Sequence, residues 1–223
     1  MRIELNGVTV AAGGRILLAG VDLDLGGGEA LVIHGPTGSG VTSLLKTAAG
    51  LRPPAAGRVL HDGRDLAALS PAAAQALQRR SGFAFQDAAL WANTPLWGNL
   101  ELPLRARHPE LDAAARRERI EQALAALDWS VDLALRPAAL SPGERLLLGF
   151  LRAVIPGPEV LFLDDVLAPL DPHWRSVLLA RLASLRDDGT AVVVGCHDPE
   201  LVPLPGARRA RIAGGRLVPD DGA

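Results

Sequence analysis

Gly35, Pro36, Thr37, Gly38, Ser39, Gly40, Val41, Thr42 and Ser43 form a run rich in glycine and hydroxyl groups, directly after the apolar Leu31-Val32-Ile33-His34. Leu44 onward reads as helix, so the run joins a buried strand to a helix N-terminus. Glycines in that place let backbone N–H groups converge on anionic oxygens, and the helix start adds partial positive charge. The Thr42 hydroxyl stands where a divalent cation would be ligated. The chemistry that suits these residue types is the grip of a phosphate group together with Mg2+.

Written as a pattern, the run fits the P-loop form G-x-x-x-x-G-K-[ST] at every element except the lysine, which is Val41. Glycine-rich turns between strand and helix also occur without a ligand, so the run alone leaves a purely structural turn open. Valine has neither the charge nor the reach of lysine. A unit charge beside a phosphate is worth up to about 4 kcal/mol at an effective dielectric near 20, before desolvation is subtracted. About half of that already exceeds tenfold in affinity, and the effect on rate is larger where the charge supports a transition state. The chain's one lysine, Lys46, lies a turn further along the helix and is expected to point elsewhere, with nothing nearby replacing the charge.

The elements that must hold this loop follow from the hydrophobic pattern. Ile3–Leu5, Val8–Val10, Val21–Leu25, Leu31–His34 and Val59–His61 read as strands, the last ending at the turn pair Asp62-Gly63. Gly82–Phe85 reads as another. From Asp112 to Leu127, Ile120, Leu124 and Leu127 recur at helical spacing within a mostly helical stretch, roughly Asp87 to Ile155. Strands return at Val160–Leu163 and Ala191–Gly195 around a helical Pro172–Leu185, and a final pair, Ala210–Ile212 and Arg216–Val218, flanks Gly214-Gly215. This order predicts a single α/β domain over 1–223, with its core in 1–86 and 156–223 and an inserted helical subdomain in 87–155.

Composition narrows the class further. Hydrophobic residues at 48% and charged residues at 22% describe a globular chain, and a net charge of −2 gives no reason to expect nucleic acid as a partner. The single Cys196 excludes an internal disulfide and a cysteine-rich metal site. No apolar run approaches the ~18 residues that span a bilayer, and Glu4 and Asn6 stand where a signal peptide needs an apolar core. A cytosolic protein is expected.

Six segments together resemble the ABC ATPase family of transporter subunits. Gly35–Ser43 resembles its Walker A loop, and Phe83-Ala84-Phe85-Gln86-Asp87 its Q-loop. Leu140-Ser141-Pro142-Gly143-Glu144 resembles the LSGGQ signature, and Val160–Asp165 the Walker B strand. Leu167-Ala168-Pro169-Leu170-Asp171 resembles the D-loop, and Val194-Gly195-Cys196-His197-Asp198 the segment of the switch histidine. The resemblance runs from Arg2 to about Val218 and implies a P-loop NTPase (RecA-like) core with an N-terminal antiparallel β subdomain and a helical signature subdomain. It further implies ATP and Mg2+ as cofactors, a head-to-tail dimer with a second ABC ATPase subunit, and a membrane permease as partner. The chain would then sit on the cytoplasmic face of the membrane through that permease.

By the same resemblance, Gln86 senses Mg2+ and attacking water, Asp164 supports Mg2+ with Thr42, His197 contacts the γ-phosphate, and Asp171 communicates across the dimer. Ser141, Gly143 and Glu144 would meet the partner's nucleotide. Three departures accompany Val41. Asp165 stands for the catalytic glutamate, its carboxylate one methylene shorter, roughly 1.5 Å, which can lower the rate about 100-fold. The chain has no tyrosine, and Ala11-Ala12-Gly13-Gly14 occupies the position where the family often stacks an aromatic on adenine. The signature reads Ser141-Pro142-Gly143-Glu144, which has the form of an N-cap, a proline at the first helical position and a capping-box glutamate.

Trp91 and Trp97 follow the Q-loop, where the family receives a helix of its permease; they are either interface anchors or part of the helical subdomain's interior. Trp129 and Trp174 read as core or partly buried. The runs Phe85–Leu90 and Asn99–Leu104 resemble the MCE-associated lipid-transport branch, and also lipoprotein-releasing and macrolide-type exporters. Three functions stay open: a subunit impaired at its own Walker site, a slow homodimeric ATPase, and a non-hydrolytic scaffold of the same fold.

Overall fold

In the computed structural model, which describes residues 1–220, β1 (Ile3–Ala12) and β2 (Arg15–Leu25) form a long hairpin closed at Gly13-Gly14. Those two glycines take φ of 57° and 76°, the left-handed region a tight turn demands. The sequence separates Ile3–Leu5 from Val8–Val10, but they are one strand, bent where the register shifts between Leu5 and Val8. After β3 (Ala30–His34) and α1 (Val41–Ala48), β4 (Ala56–His61) and β5 (Arg64–Asp65) complete this sheet around the expected Asp62-Gly63 turn. Its order is β2-β1-β4-β5, antiparallel throughout.

The second sheet holds the site. Its strands are β3, β6 (Ser81–Ala84), β7 (Val160–Asp164), β8 (Ala191–Cys196), β9 (Arg208–Ala213) and β10 (Arg216–Pro219), in the order β10-β9-β3-β8-β7-β6. All neighbours from β9 to β6 are parallel, and only β10 turns back. β7 and β8 are buried along their whole length, as parallel strands covered on both faces must be. Alternate side chains feed two cores: Val32, Leu161, Leu163, Val192 and Val194 face one way, and Ile33, Val160, Phe162 and Val193 the other. Each such side chain contributes about 1.5–3 kcal/mol of burial.

α3 (Leu96–Arg107), α4 (Ala113–Ala125) and α5 (Pro142–Val154) lie between β6 and β7, so the helical stretch is three helices joined by loops. α5 packs closely on β6 because Gly82 has no side chain: a Cβ there would lie 2.4 Å from the Ala153 carbonyl oxygen. α6 (Pro172–Asp187) connects β7 to β8. α2 (Pro71–Gln78) is absent from the sequence reading, since an alanine-rich segment shows no apolar stripe; its start is set by the Ser70 cap and Pro71. Among the described residues no helix is long and apolar enough to cross a membrane.

Candidate functional site

The run 35–43 leaves the end of β3 and enters α1 through backbone that only glycine accepts easily. Gly38 and Gly40 have φ of 81° and 109°. Gly40 is the N-cap of α1, and a Cβ there would meet Leu18 and Leu17 at 3.0 and 3.1 Å. The turn is closed by the Ser39 N–H donating to the Pro36 carbonyl at 2.9 Å. The first helical bond, from the Leu44 N–H to the Gly40 carbonyl, is 2.8 Å. The N–H groups of Val41, Thr42 and Ser43 precede it, and no side chain caps them. They form an open anion cradle of about 130 Å³, lined also by Leu17 and His197.

At the cradle's inner edge the Thr42 hydroxyl donates to Asp164 Oδ1 at 2.8 Å. Asp164 ends β7 and is 3% exposed. Burial pushes its carboxyl above the usual carboxylate range, opposed by the Thr42 hydroxyl and then by the charge of Lys46. A hydroxyl and a carboxylate touching one another are the hard oxygen donors that suit Mg2+. Among the described residues no group of three or more His, Cys, Asp or Glu could hold a metal, so phosphate and water oxygens would have to supply the rest of its shell. The donor set fits Mg2+ bound with a nucleotide and not a resident ion.

Asp165, the next residue, has φ of 50°, a strained value for a non-glycine residue, and its N–H donates to the Gly195 carbonyl at 2.9 Å. Its Oδ2 lies 3.5 Å from both Gln86 Nε2 and His197 Nε2, and its Oδ1 is buried without a hydrogen-bond partner. His197 Nδ1 lies 3.1 Å from the Gly35 carbonyl. A carbonyl only accepts, so Nδ1 carries the proton and Nε2 is turned to Asp165. Thus the structure brings Gln86, Asp164, Asp165 and His197 together beside Thr42.

Val41 does not reach over the cradle. It is 6% exposed, and its Cγ1 would lie 2.7 Å from a Cβ built on Gly195, so the valine branch fills the space that glycine leaves. Lys46 does not lie over the cradle either: its Nζ lies 5.8 Å from the Phe85 ring centroid, on the side where its charge reaches Asp164. At the end of β8, burial pushes the Cys196 thiol up to about 12.

Ser141, Gly143 and Glu144 stand at the start of α5, and among the described residues no hydrogen bond or ion pair joins them to the loop 35–43. Asp171 caps α6, its Oδ1 accepting from the Trp174 N–H at 2.9 Å. Trp91 is 47% exposed with the Arg152 guanidinium 5.1 Å from its ring centre, whereas Trp97 packs against the core. Trp129 is buried and meets the partly buried Trp174 edge-on. Asn99, fully buried, was singled out by no chemistry in the sequence. It accepts from the Trp91 N–H at 2.9 Å and donates to the Trp91, Thr94 and Pro95 carbonyls, pinning the segment after Gln86. Its one signal is an amide next to the leucines that recur at helical spacing, Leu96, Leu100 and Leu104.

A family model described as ABC transporter matches residues 18–168. The chain is 35% identical over 217 residues to the methionine import ATP-binding protein MetN of Caulobacter vibrioides, covering 96% of this chain and 64% of that protein. It is 33% identical to the macrolide export ATP-binding/permease protein MacB of Marinobacter nauticus, covering 99% of this chain and 35% of that protein. The chain therefore spans between about a third and two thirds of these relatives' length. Its structure is similar to the dimeric post-hydrolysis state of the ATP-binding cassette MJ0796 bound to ADP and Pi, with a TM-score of 0.89 at 27% identity, covering 99% of this chain and all of that one.

Proposed function

From the premise that this chain belongs to the ABC transporter family, we propose that it is a nucleotide-binding subunit whose own phosphate site is weakened while its signature serves a partner. The fold is that of an ABC ATPase: a P-loop core, an antiparallel β subdomain and a helical subdomain. ATP phosphates would lie on the N–H groups of Val41, Thr42 and Ser43. Thr42 and Asp164 would hold Mg2+, which supplies charge neutralisation when bound. Asp165, Gln86 and His197 would orient water and the terminal phosphate, with Asp165 a methylene short of the reach a glutamate has. Asp171 and the signature group Ser141, Gly143 and Glu144 would face a second cassette, and MJ0796 as a dimer supports that pairing. The names of relatives include methionine, sulfate, Fe(3+) and macrolide transport, which supports leaving cargo, lipid included, to the choice of permease.

One observation carries the weakened site: the Val41 side chain is turned against Gly195, and the one lysine lies beside Phe85. Val41→Lys should raise Mg-ATP affinity at least about tenfold, because the glycines, Thr42 and Asp164 are already in place. It should restore only part of the hydrolysis measured with the permease present. Adding Asp165→Glu should raise turnover beyond either single change, as for groups that act as a unit. A wild-type chain that turns over several ATP per second and gains nothing from the lysine would refute the weakened site and leave an ordinary ATPase.

A further inference from the structure

The cradle of about 130 Å³ is too small for a whole nucleotide, but it opens onto a recess of about 680 Å³ that shares Leu17, Pro36, Gly38 and Ser39 with it. No Phe, Trp or Tyr and no carboxylate lines this recess. Two arginines do, and they come from different sheets: Arg15 at the start of β2 and Arg211 on β9. Among the described residues neither side chain has an ion-pair or hydrogen-bond partner, whereas Arg2, Arg80, Arg107, Arg116 and Arg117 all do. Asp220 is held by His34, which stands on the recess wall, at 2.6 Å. Beside Arg15, Ile16 is 68% exposed, the most exposed large apolar side chain described, and it faces the same recess.

A planar cation next to an unpartnered apolar side chain is a surface for the face of a nucleobase, since guanidinium planes stack on π-systems and aliphatic groups cover what is left. We propose that the recess takes the base and sugar of the nucleotide whose phosphates occupy the cradle, with Arg15 stacked on the base and Ile16 as its apolar support. Arg15 thereby does the work of the aromatic that Ala11 and Ala12 cannot supply. The assignment rests on the nucleotide-binding reading above and names the residue that recognises the base. Because every base presents a π-face, the site should accept adenine and guanine nucleotides alike.

Ligand-detected NMR titrations into the millimolar range, with Mg-ATP and with Mg-tripolyphosphate, test this on wild type, Arg15→Ala and Arg15→Lys. Wild type should bind ATP more tightly than tripolyphosphate. Arg15→Ala should weaken ATP about tenfold and leave tripolyphosphate unchanged, with the melting temperature held. Arg15→Lys should fall nearly as far, because it keeps the charge and loses the plane. Equal weakening of both probes would make Arg15 a phosphate charge and overturn the stacking role. Unchanged ATP binding in Arg15→Ala, or a wild type that prefers ATP no more than tripolyphosphate, would place the base elsewhere. A wild type that binds tripolyphosphate keeps the nucleotide reading intact in those cases; one that binds neither probe removes both.

Discussion

The starts of α1 and α5 are the same structural object treated in opposite ways. At α1 the N-cap is Gly40 in the left-handed region, with no capping side chain and no acidic residue in the first turn. At α5, Pro142 occupies the first helical position, the Ser141 hydroxyl accepts from the Glu144 N–H at 3.3 Å, and Glu144 accepts from the Ser141 N–H at 2.8 Å. One helix start leaves its donors for something outside the chain, and the other satisfies them itself. The neighbouring carboxylates divide in the same way. Burial holds Asp164 above its ordinary range, while hydrogen bonds from Ser141 hold Glu144 below its own. A site built for a ligand is thus less stable than it could be until that ligand arrives, whereas the cap is complete when the chain folds.

The strongest test closes the open end. Gly40→Ser supplies a capping hydroxyl but forces a side chain onto φ of 109° and against Leu17 and Leu18. We expect a loss of about 2–3 kcal/mol, a fall in Tm of roughly 4–12 °C by calorimetry, and no measurable Mg-ATP binding. A variant that melts normally and binds as before would show that the loop does not depend on this glycine.

Asp164→Asn comes next. A carboxyl with a raised folded pKa favours the folded state fully below its unfolded value, and that contribution is lost as pH rises through the folded pKa. The asparagine variant lacks this term, so its Tm relative to wild type should climb as pH rises through and above the carboxylate range, while Mg2+-dependent ATP binding falls about tenfold. Glu144, with its depressed pKa, contributes in the opposite sense: its stabilisation is present above its unfolded value and is lost as pH falls through the folded one. Melting curves of Asp164→Asn and Glu144→Gln across pH should therefore diverge from wild type with opposite slopes. Parallel slopes would break the comparison.

The smallest expected effect is Ser141→Ala. Losing the cap costs about 1 kcal/mol, roughly 2–4 °C in Tm, with this chain's own ATP affinity unchanged. A drop in that affinity would mean that the two helix starts are coupled within one chain.

How much of this was legible depends on whether a feature is local. The capping box at Ser141 and Glu144, the Asp62-Gly63 turn and the strand-loop-helix at 31–44 are set by neighbours a few residues apart, so the sequence displays them. α2 was hidden because alanine fits any helix face, and the bend in β1 because a register shift is decided by the partner strand. The orientation of Lys46 toward Phe85 depends on how β6 sits against α1, and the placing of Asn99 on Trp91, Thr94 and Pro95 depends on how a loop folds back over a helix. The pairing of Arg15 with Arg211 around one recess joins positions on two sheets, which no spacing rule announces.

The contact between Val41 and Gly195 also sets an order on change. With valine in place, even alanine at 195 would press a Cβ to 2.7 Å from Val41 Cγ1 and 2.9 Å from Leu45 Cδ2. The glycine is locked in by its neighbour. A lysine placed at 41 would relieve only the Val41 side of that contact, and Leu45 would still hold position 195 at glycine. Starting instead at 195, the first step meets a clash before any charge is added. Position 41 can change on its own, whereas 195 waits on both of its neighbours.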